Sequence, residues 1–156
     1  MPDAEPKTLL ITGASSGIGA ATARAVAAEG WSLALAARSK DKLESLVSDL
    51  GEDRACAIPT DVTDWEDQQR MAAAAMDRFG RIDAVFANAG TGGRPGGFTG
   101  APPESWRRMV DVNILGVAYT LRATLEHVKA AHGHVVITSS IAGRRVLAGS
   151  MYAATK

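Results

Sequence analysis

The sequence predicts an α/β protein built on a doubly wound, Rossmann-like parallel sheet with the strand order 3-2-1-4-5. Short apolar runs alternate with helix-forming segments along the chain, and a glycine-rich turn joins the first run to the first helix. Strands separated by helices form parallel sheets that are covered by helices on both faces. Right-handed crossovers favour the doubly wound order, in which the carboxyl ends of strands one and four border a ligand crevice.

Each element has its own signal in the sequence. Strands are predicted at residues 7–12, 32–37, 54–60, 82–87 and 134–138, and helices at 17–29, 40–50, 65–79 and 104–132, the last as one long helix or two abutting ones. Ser39 and Asp64 are candidate N-caps, and a glycine follows each of the first three helices. Leu43, Leu46, Val47 and Leu50 form an apolar stripe at helical spacing. A glycine- and proline-rich loop is predicted at 90–103, and Tyr152 should lie in the first turn of a further helix.

The stretch from Thr12 to Gly19, Thr-Gly-Ala-Ser-Ser-Gly-Ile-Gly, is predicted to bind a nucleotide phosphate. Gly13 can take a positive φ, Gly17 lets the backbone approach a pyrophosphate, and Gly19 lets the helix pack close to the strand. The helix directs its N–H groups and the positive end of its dipole at the phosphates. A purely structural turn is the alternative for the octapeptide alone, but a strand before it and a helix after it favour phosphate binding.

Composition limits the classes of function. With 156 residues and 46% apolar content, the chain can bury one sizeable core. Its 17 basic and 17 acidic residues cancel, so no nucleic-acid partner is expected, and no apolar run is long enough for a membrane span. Cys56 is the single cysteine, which favours a buried, unreactive thiol in a reducing cytoplasm. His127, His132 and His134 have no metal-like partners, so no metal site is predicted.

Four motifs in this order resemble those of the short-chain dehydrogenase/reductase family. They are Thr12–Gly19, Asn88-Ala89-Gly90, Asn113 within Asp-Val-Asn-Ile-Leu, and Ser139-Ser140-Ile-Ala-Gly followed by Tyr152-Ala-Ala-Thr-Lys156. The resemblance covers essentially the whole chain. It implies an oxidoreductase that moves hydride between a nicotinamide cofactor and a small-molecule carbonyl/alcohol substrate.

The resemblance also bears on the extent of the chain. Family members continue beyond the position of Lys156 with more helix, further strands and a segment that covers the substrate. Residues 1–156 are therefore expected to form a single NAD(P)-binding Rossmann domain that is incomplete at its C-terminal end. The full-length protein would be a homodimer or homotetramer.

Tyr152 and Lys156 are four residues apart, so they share one face of a helix. An ammonium group near a phenol favours the ionised phenolate. The resemblance implies that Tyr152 is the general acid or base and that Lys156 also binds the nicotinamide ribose; a surface pair is the alternative. Asn113 is a poor helix former inside a predicted helix. Either it satisfies a local backbone group or, as the family implies, it holds a water for proton relay at a helix distortion.

Two serines compete for the catalytic position. The family pattern Ser-x-Ala-Gly selects Ser140, whereas a spacing of thirteen residues to Tyr152 selects Ser139. Ser140 is preferred, because a loop absorbs a one-residue deletion while a register slip in a strand turns the side chain to the opposite face. Thr138 is interpreted as structural.

Arg38 follows the second strand, where a carboxylate would select NAD. A guanidinium there can bind the 2′-phosphate of NADP, so NADP is predicted over NAD. Lys40 and Lys42 add charge nearby, while Ser16 stands at the family's other basic position. Asp61 and Val62 would contact the adenine, with helix capping by Asp61 as the rival interpretation. The full set of expected cofactor contacts is Gly13, Ser15, Ser16, Gly17, Ile18, Gly19, Arg38, Asp61, Val62, Asn88, Ala89, Gly90, Tyr152 and Lys156.

Two other functions stay open at the level of sequence. One is a catalytically incomplete NADP-binding module, and the other is an epimerase or dehydratase that uses the same tyrosine and lysine. Substrate choice is expected to depend mainly on the loops at 92–103 and 144–151 and on sequence beyond Lys156.

Overall fold

The computed structural model describes residues 6–92, 96–145 and 151–156. Five parallel strands form one sheet in the order β3-β2-β1-β4-β5, which confirms the predicted topology. The strands are β1 (Thr8–Thr12), β2 (Ser32–Ala37), β3 (Ala55–Pro59), β4 (Ala84–Ala87) and β5 (His134–Ile137). Residues 93–95 and 146–150, in the two loops expected to select a substrate, lie outside this description.

The helices fall close to their predicted positions. They are α1 (Gly17–Ala28), α2 (Lys40–Leu50), α3 (Trp65–Phe79), α4 (Gly97–Gly100), α5 (Pro103–Val110), α6 (Gly116–Ala130) and α7 (Met151–Ala154). Tyr152 lies in α7, as predicted. Among the described residues, no helix combines the length and apolarity that a membrane crossing requires.

The sheet has an apolar layer on each face because alternate side chains of a strand point to opposite sides. Leu9 and Ile11 of β1 pack with buried residues of α1 and α2. Leu10, between them, packs on the other face with Met71 of α3 and Val128 of α6. Every residue of β1 and β2 is buried, as expected for central parallel strands covered on both faces.

Three local features differ from the simplest interpretation of the sequence. Ser39 occupies the N-cap of α2 but its side chain makes no capping hydrogen bond, whereas the Asp64 carboxylate accepts from the Asp67 amide, as predicted for α3. The predicted helix at 104–132 is continuous, but Asp111–Leu115 forms a π-helical segment between α5 and α6. The predicted loop at 90–103 contains the short helix α4, and Phe98 on it makes an edge-to-face contact with Trp106.

At the amino ends of the strands, the buried Asp83 joins β1 to β4. Its carboxylate accepts hydrogen bonds from the Thr8 amide at 2.8 Å and from Arg81 Nε and Nη2 at 2.8 and 2.6 Å. Its backbone carbonyl accepts from the His134 amide of β5. Burial acts to raise the pKa of Asp83, but the hydrogen bonds from Arg81 and Thr8 outweigh it, and the pKa lies below its usual value.

Replacing Asp83 by Asn should destabilise the protein at pH 7 by about 1.5–3 kcal/mol, the range for hydrogen bonds to a charged group. Because the folded-state pKa is lowered, this stabilisation is complete above the ordinary aspartate pKa of about 3.9 and is lost as the pH falls through the folded-state pKa. Urea unfolding of parent and variant from pH 7 to pH 2.5 should show the difference shrinking below about pH 4. Asp77→Asn, at an exposed position of α3, is the matched control. A difference that persists unchanged to pH 2.5 would contradict this account.

Candidate active site

A crevice of about 500 Å³ opens at the carboxyl ends of the strands, beside the glycine-rich turn. Most of the residues expected to bind the cofactor line it. From that set, the lining contains Gly13, Ser15, Ser16, Gly17, Ile18, Arg38, Asp61, Val62, Asn88, Ala89, Gly90, Tyr152 and Lys156. Gly19, Asn113 and Ser140 do not line it.

Asn88 and Thr12 tie the ends of β4 and β1 together. The Thr12 hydroxyl accepts from the amides of Asn88 and Ala89 at 3.1 and 3.2 Å, and Asn88 Nδ2 donates to the carbonyl oxygens of Thr12 and Gly13. Thr138, just after β5, donates its hydroxyl hydrogen to Asn88 Oδ1 at 2.9 Å. One asparagine therefore holds the ends of three strands at the edge where the crevice begins.

The glycine-rich turn leaves no room for side chains at two of its glycines. Gly13 has φ +68°, and a Cβ there would lie 2.8 Å from the Cα of Ala89. A Cβ on Gly19 would lie 2.4 Å from the Gly13 carbonyl oxygen and 2.8 Å from Asn88 Nδ2. Gly19 thus allows α1 to pack closely on the turn, whereas the sequence predicted close packing on the strand, and this explains why it lies below the crevice surface.

Asn113 is buried in the π-helical segment and holds two distant parts of the chain. Its Oδ1 accepts from the Thr91 amide at 2.8 Å, and its Nδ2 donates to the Thr91 carbonyl oxygen and to Thr155 Oγ1, both at 2.9 Å. The Thr155 hydroxyl in turn donates to the Tyr152 carbonyl oxygen at 2.8 Å. The side chain therefore satisfies backbone groups, though these are remote in sequence, and the helix distortion implied by the resemblance is present.

Tyr152 and Lys156 both face the crevice. Lys156 Nζ lies 5.8 Å from the centre of the Tyr152 ring and donates to the Thr138 carbonyl oxygen at 3.3 Å. Helix α7 ends at Ala154, so Tyr152 lies in the helix and Lys156 lies two residues after its end.

The two candidate serines take different positions. Ser140 Oγ accepts from the Ala142 amide at 3.1 Å and caps the 3₁₀ turn Ile141–Gly143. Ser139 is exposed, and its hydroxyl donates to the Lys156 carbonyl oxygen at 3.4 Å. Thr138 lines the crevice. Its hydroxyl donates to Asn88, and its carbonyl oxygen accepts from Lys156. This matches its interpretation as a structural residue.

The charged residues Arg38, Asp61 and Arg108 also line the crevice. Asp61 does not cap α3, since Asp64 does, so the rival interpretation of Asp61 is wrong. Burial acts to raise the pKa of Asp61, but hydrogen bonds from the Thr63 amide and hydroxyl, together with the charges of Arg38 and Arg108, lower it below its usual value.

Eight residues of the crevice wall lie outside the expected set of cofactor contacts, and Arg108 and Val112 are two of them. They are four residues apart on the helix that leads to Asn113. Helical spacing predicts that the two side chains share one face of the helix, but it does not predict that this face points toward the crevice. Lys40 and Lys42 do not line the crevice, and Lys40 pairs with Glu44 at 3.5 Å.

Among the described residues, other titratable groups give no sign of a second centre. Cys56 is half-buried and not fully buried as expected. Burial raises the pKa of its thiol to about 11, which keeps it protonated and fits an unreactive cysteine. In the ranges that the structure describes, no cluster of histidine, cysteine and carboxylate side chains has the arrangement of a metal site.

Known proteins with this sequence pattern and fold identify the family. A family model described as short chain dehydrogenase matches residues 7–156. The chain belongs to the short-chain dehydrogenase family. It is 42% identical to an uncharacterized oxidoreductase of Staphylococcus haemolyticus over the whole of this chain. An alcohol dehydrogenase from the archaeon Thermococcus sibiricus, solved with 5-hydroxy-NADP, shares 37% identity over 97% of this chain, with a TM-score of 0.90.

A second similar structure carries the other nicotinamide cofactor. A short-chain dehydrogenase/reductase from Burkholderia phymatum, solved with NAD, is 31% identical over 99% of this chain, with a TM-score of 0.91. This chain spans 68% of the length of the Staphylococcus protein, 66% of the Thermococcus chain and 57% of the Burkholderia chain.

Replacing Gly19 by Ala should lower the free energy of unfolding by about 1–3 kcal/mol, the usual cost of overpacking. The new methyl group would meet the Gly13 carbonyl oxygen, a backbone atom that cannot swing aside. Gly100→Ala is the matched control, because a Cβ there meets nothing within 4 Å. Denaturant unfolding of the three proteins tests this, and equal stability of Gly19→Ala and parent would refute the close packing.

Proposed function

We propose that this chain forms the cofactor-binding and proton-transfer part of an NADP-dependent oxidoreductase acting on a small-molecule carbonyl/alcohol pair. The observation that carries the proposal is that the glycine-rich turn, Arg38 and the pair Tyr152 and Lys156 meet in one crevice. Residues 1–156 would act as one nucleotide-binding unit.

The turn and α1 fit a pyrophosphate. A Cβ at Gly17 would meet nothing within 4 Å, so the backbone there borders open space. Ser16, the N-cap of α1, makes no side-chain capping hydrogen bond. The first amides of α1 are therefore left without a side-chain cap, and with the helix dipole they favour an anion at this end.

The residues after β2 support NADP. The similar structures include one with an NADP derivative and one with NAD, so family likeness does not choose between them. In the described parts of the chain, Arg38 has no hydrogen-bond or ion-pair partner within the protein. It is exposed beside Ala37, the position at which a carboxylate would select NAD and repel a 2′-phosphate. A planar guanidinium that makes no hydrogen bond within the described residues suits bidentate binding of phosphate.

Tyr152 and Lys156 support proton transfer. The phenol would donate its proton to a substrate carbonyl oxygen during reduction, or take the proton of an alcohol during oxidation. Lys156, held by the Thr138 carbonyl oxygen, would stabilise the negative charge that forms on the phenol oxygen. The nicotinamide, when bound, supplies or accepts the hydride. Asn113 would orient this region through Thr91 and Thr155, and Ser140 would hydrogen-bond the substrate oxygen.

We propose an oligomeric state from the exposed apolar residues and a cellular compartment from the cysteine content. Ile114, Leu115 and Leu125 are 43%, 40% and 38% exposed on the continuous helix that carries Asn113, and they would be covered in a homodimer or homotetramer of the full-length protein. A single unreactive cysteine suits the cytoplasm.

Arg38→Asp should reverse the preference between NADP and NAD. We expect the parent to bind NADP more tightly, and the variant to lose about 10- to 100-fold in NADP affinity, because a phosphate partner becomes a repelling carboxylate. Isothermal titration with both cofactors measures this. Arg122→Asp makes the same charge change at an exposed site that does not line the crevice. A parent that binds NAD at least as well as NADP would rule out this role of Arg38.

Tyr152→Phe should lower turnover at least about 100-fold, the usual contribution of a general acid, while leaving NADP affinity nearly unchanged. The change removes one oxygen and keeps the ring. The measurement is NADPH oxidation with a panel of ketones and aldehydes, with product analysis to detect epimerisation or dehydration. Tyr119→Phe, whose ring packs edge-to-face on Trp65, is the matched control. A parent that binds NADP but turns over no substrate would instead indicate a binding module.

A further inference from the structure

A glutamine lies wholly buried behind the crevice wall. Gln68 of α3 is 0% exposed. Its Nε2 donates to the carbonyl oxygens of Val62 at 2.9 Å and Gly116 at 3.1 Å, and the Thr120 hydroxyl lies 3.1 Å from Nε2 and 3.2 Å from Oε1. Two carbonyl acceptors require the NH₂ end of the amide to face them, so the orientation of the amide is determined.

The two carbonyl groups belong to segments that touch directly. A Cβ on Gly116 would lie 2.9 Å from Val62 Cγ2 and 3.3 Å from the Asp111 carbonyl oxygen. The absence of a side chain at Gly116 thus lets the π-helical segment rest against Val62. The Gln68 amide bridges the same two backbones from behind.

Each segment carries a different part of the site. Val62 lines the crevice next to Asp61, on the side we assign to the adenine. The Gly116 amide donates to the Asp111 carbonyl oxygen and closes the π-helical turn. Within that turn, Asn113 holds Thr91 and Thr155. A shift of Val62 relative to Gly116 would therefore move the crevice wall relative to the Asn113 turn.

We propose that Gln68 is a positioning residue that sets the adenine-side wall of the crevice against the Asn113 turn and thereby determines cofactor affinity. This inference rests on the proposed function, since it requires the crevice to bind a dinucleotide. An apolar side chain of the same length could fill the space, but it would leave two buried carbonyl groups without the Gln68 donor. The contact between Val62 and Gly116 would then be free to shift.

The test replaces Gln68 by Met, which keeps the length and removes the amide. Gln69→Met, at the neighbouring exposed position, is the matched control. Dissociation constants are measured for NADPH, for adenosine 2′,5′-bisphosphate and for reduced nicotinamide mononucleotide, at a temperature where all proteins are folded. We expect Gln68→Met to weaken NADPH and the adenosine fragment about tenfold, and Gln69→Met to leave both unchanged.

The results separate the possible roles. A purely structural glutamine would lower the unfolding temperature but leave the affinity of folded protein for the adenosine fragment at the parent value, and that result overturns the inference. A parent that binds none of the three ligands overturns the proposed function itself. A loss confined to the nicotinamide fragment also overturns the inference, because the wall at Val62 would then be unmoved.

A second variant covers the case in which Gln68→Met does not fold. Thr120→Val keeps the shape and removes the hydroxyl that contacts the amide and donates to the Gly116 carbonyl oxygen at 2.8 Å. We expect about threefold weaker binding of the adenosine fragment, with the Gln68 amide left less constrained. Parent-like affinity in this variant overturns the inference.

Discussion

The site depends on the hydrogen bonds that Asn88 makes across the carboxyl ends of the strands. β1 and β4 are neighbours in the sheet but lead their chains to opposite faces, so a gap opens between them. Asn88 fills that gap with donors to the carbonyl oxygens of Thr12 and Gly13 and with an acceptor for the Thr138 hydroxyl. Without these bonds, buried backbone groups at the start of the glycine-rich turn would lose their partners, and the position of the turn relative to β5 would be free to change.

Small residues let the rest of the structure close around this point. Gly19 allows α1 to lie against the turn, and Gly116 allows the π-helical segment to lie against Val62, at distances that exclude a Cβ in both places. Two packed elements thus reach the crevice from opposite sides of the sheet. Their approach is made through backbone atoms, which have little freedom to move, so the wall of the crevice is pre-organised.

The two ends of the sheet use charge differently. At the amino ends, Asp83 is paired with Arg81 and with the Thr8 amide, and the charge serves the fold. At the carboxyl ends, Arg38 and Lys156 border the crevice, and only Lys156 is held by a protein oxygen within the described residues. The charge of Asp83 is therefore satisfied within the fold, whereas the charge of Arg38 borders the crevice without such a bond.

The sequence by itself determined the fold and most of the crevice, because those signals are local. Alternation of apolar and helical segments predicts the sheet order. Asp64 caps α3 through the Asp67 amide, and Gly19 lies against the carbonyl oxygen of Gly13, six residues before it. What only the tertiary structure decided involves partners distant in sequence. Asn113 bonds to Thr91 and Thr155, Gln68 bonds to Gly116, and Arg108 faces the crevice. No periodicity predicts such pairs, because they depend on how helices pack on the sheet. The π-helical turn adds to this, because it rotates every side chain that follows it away from the direction that regular helical spacing predicts.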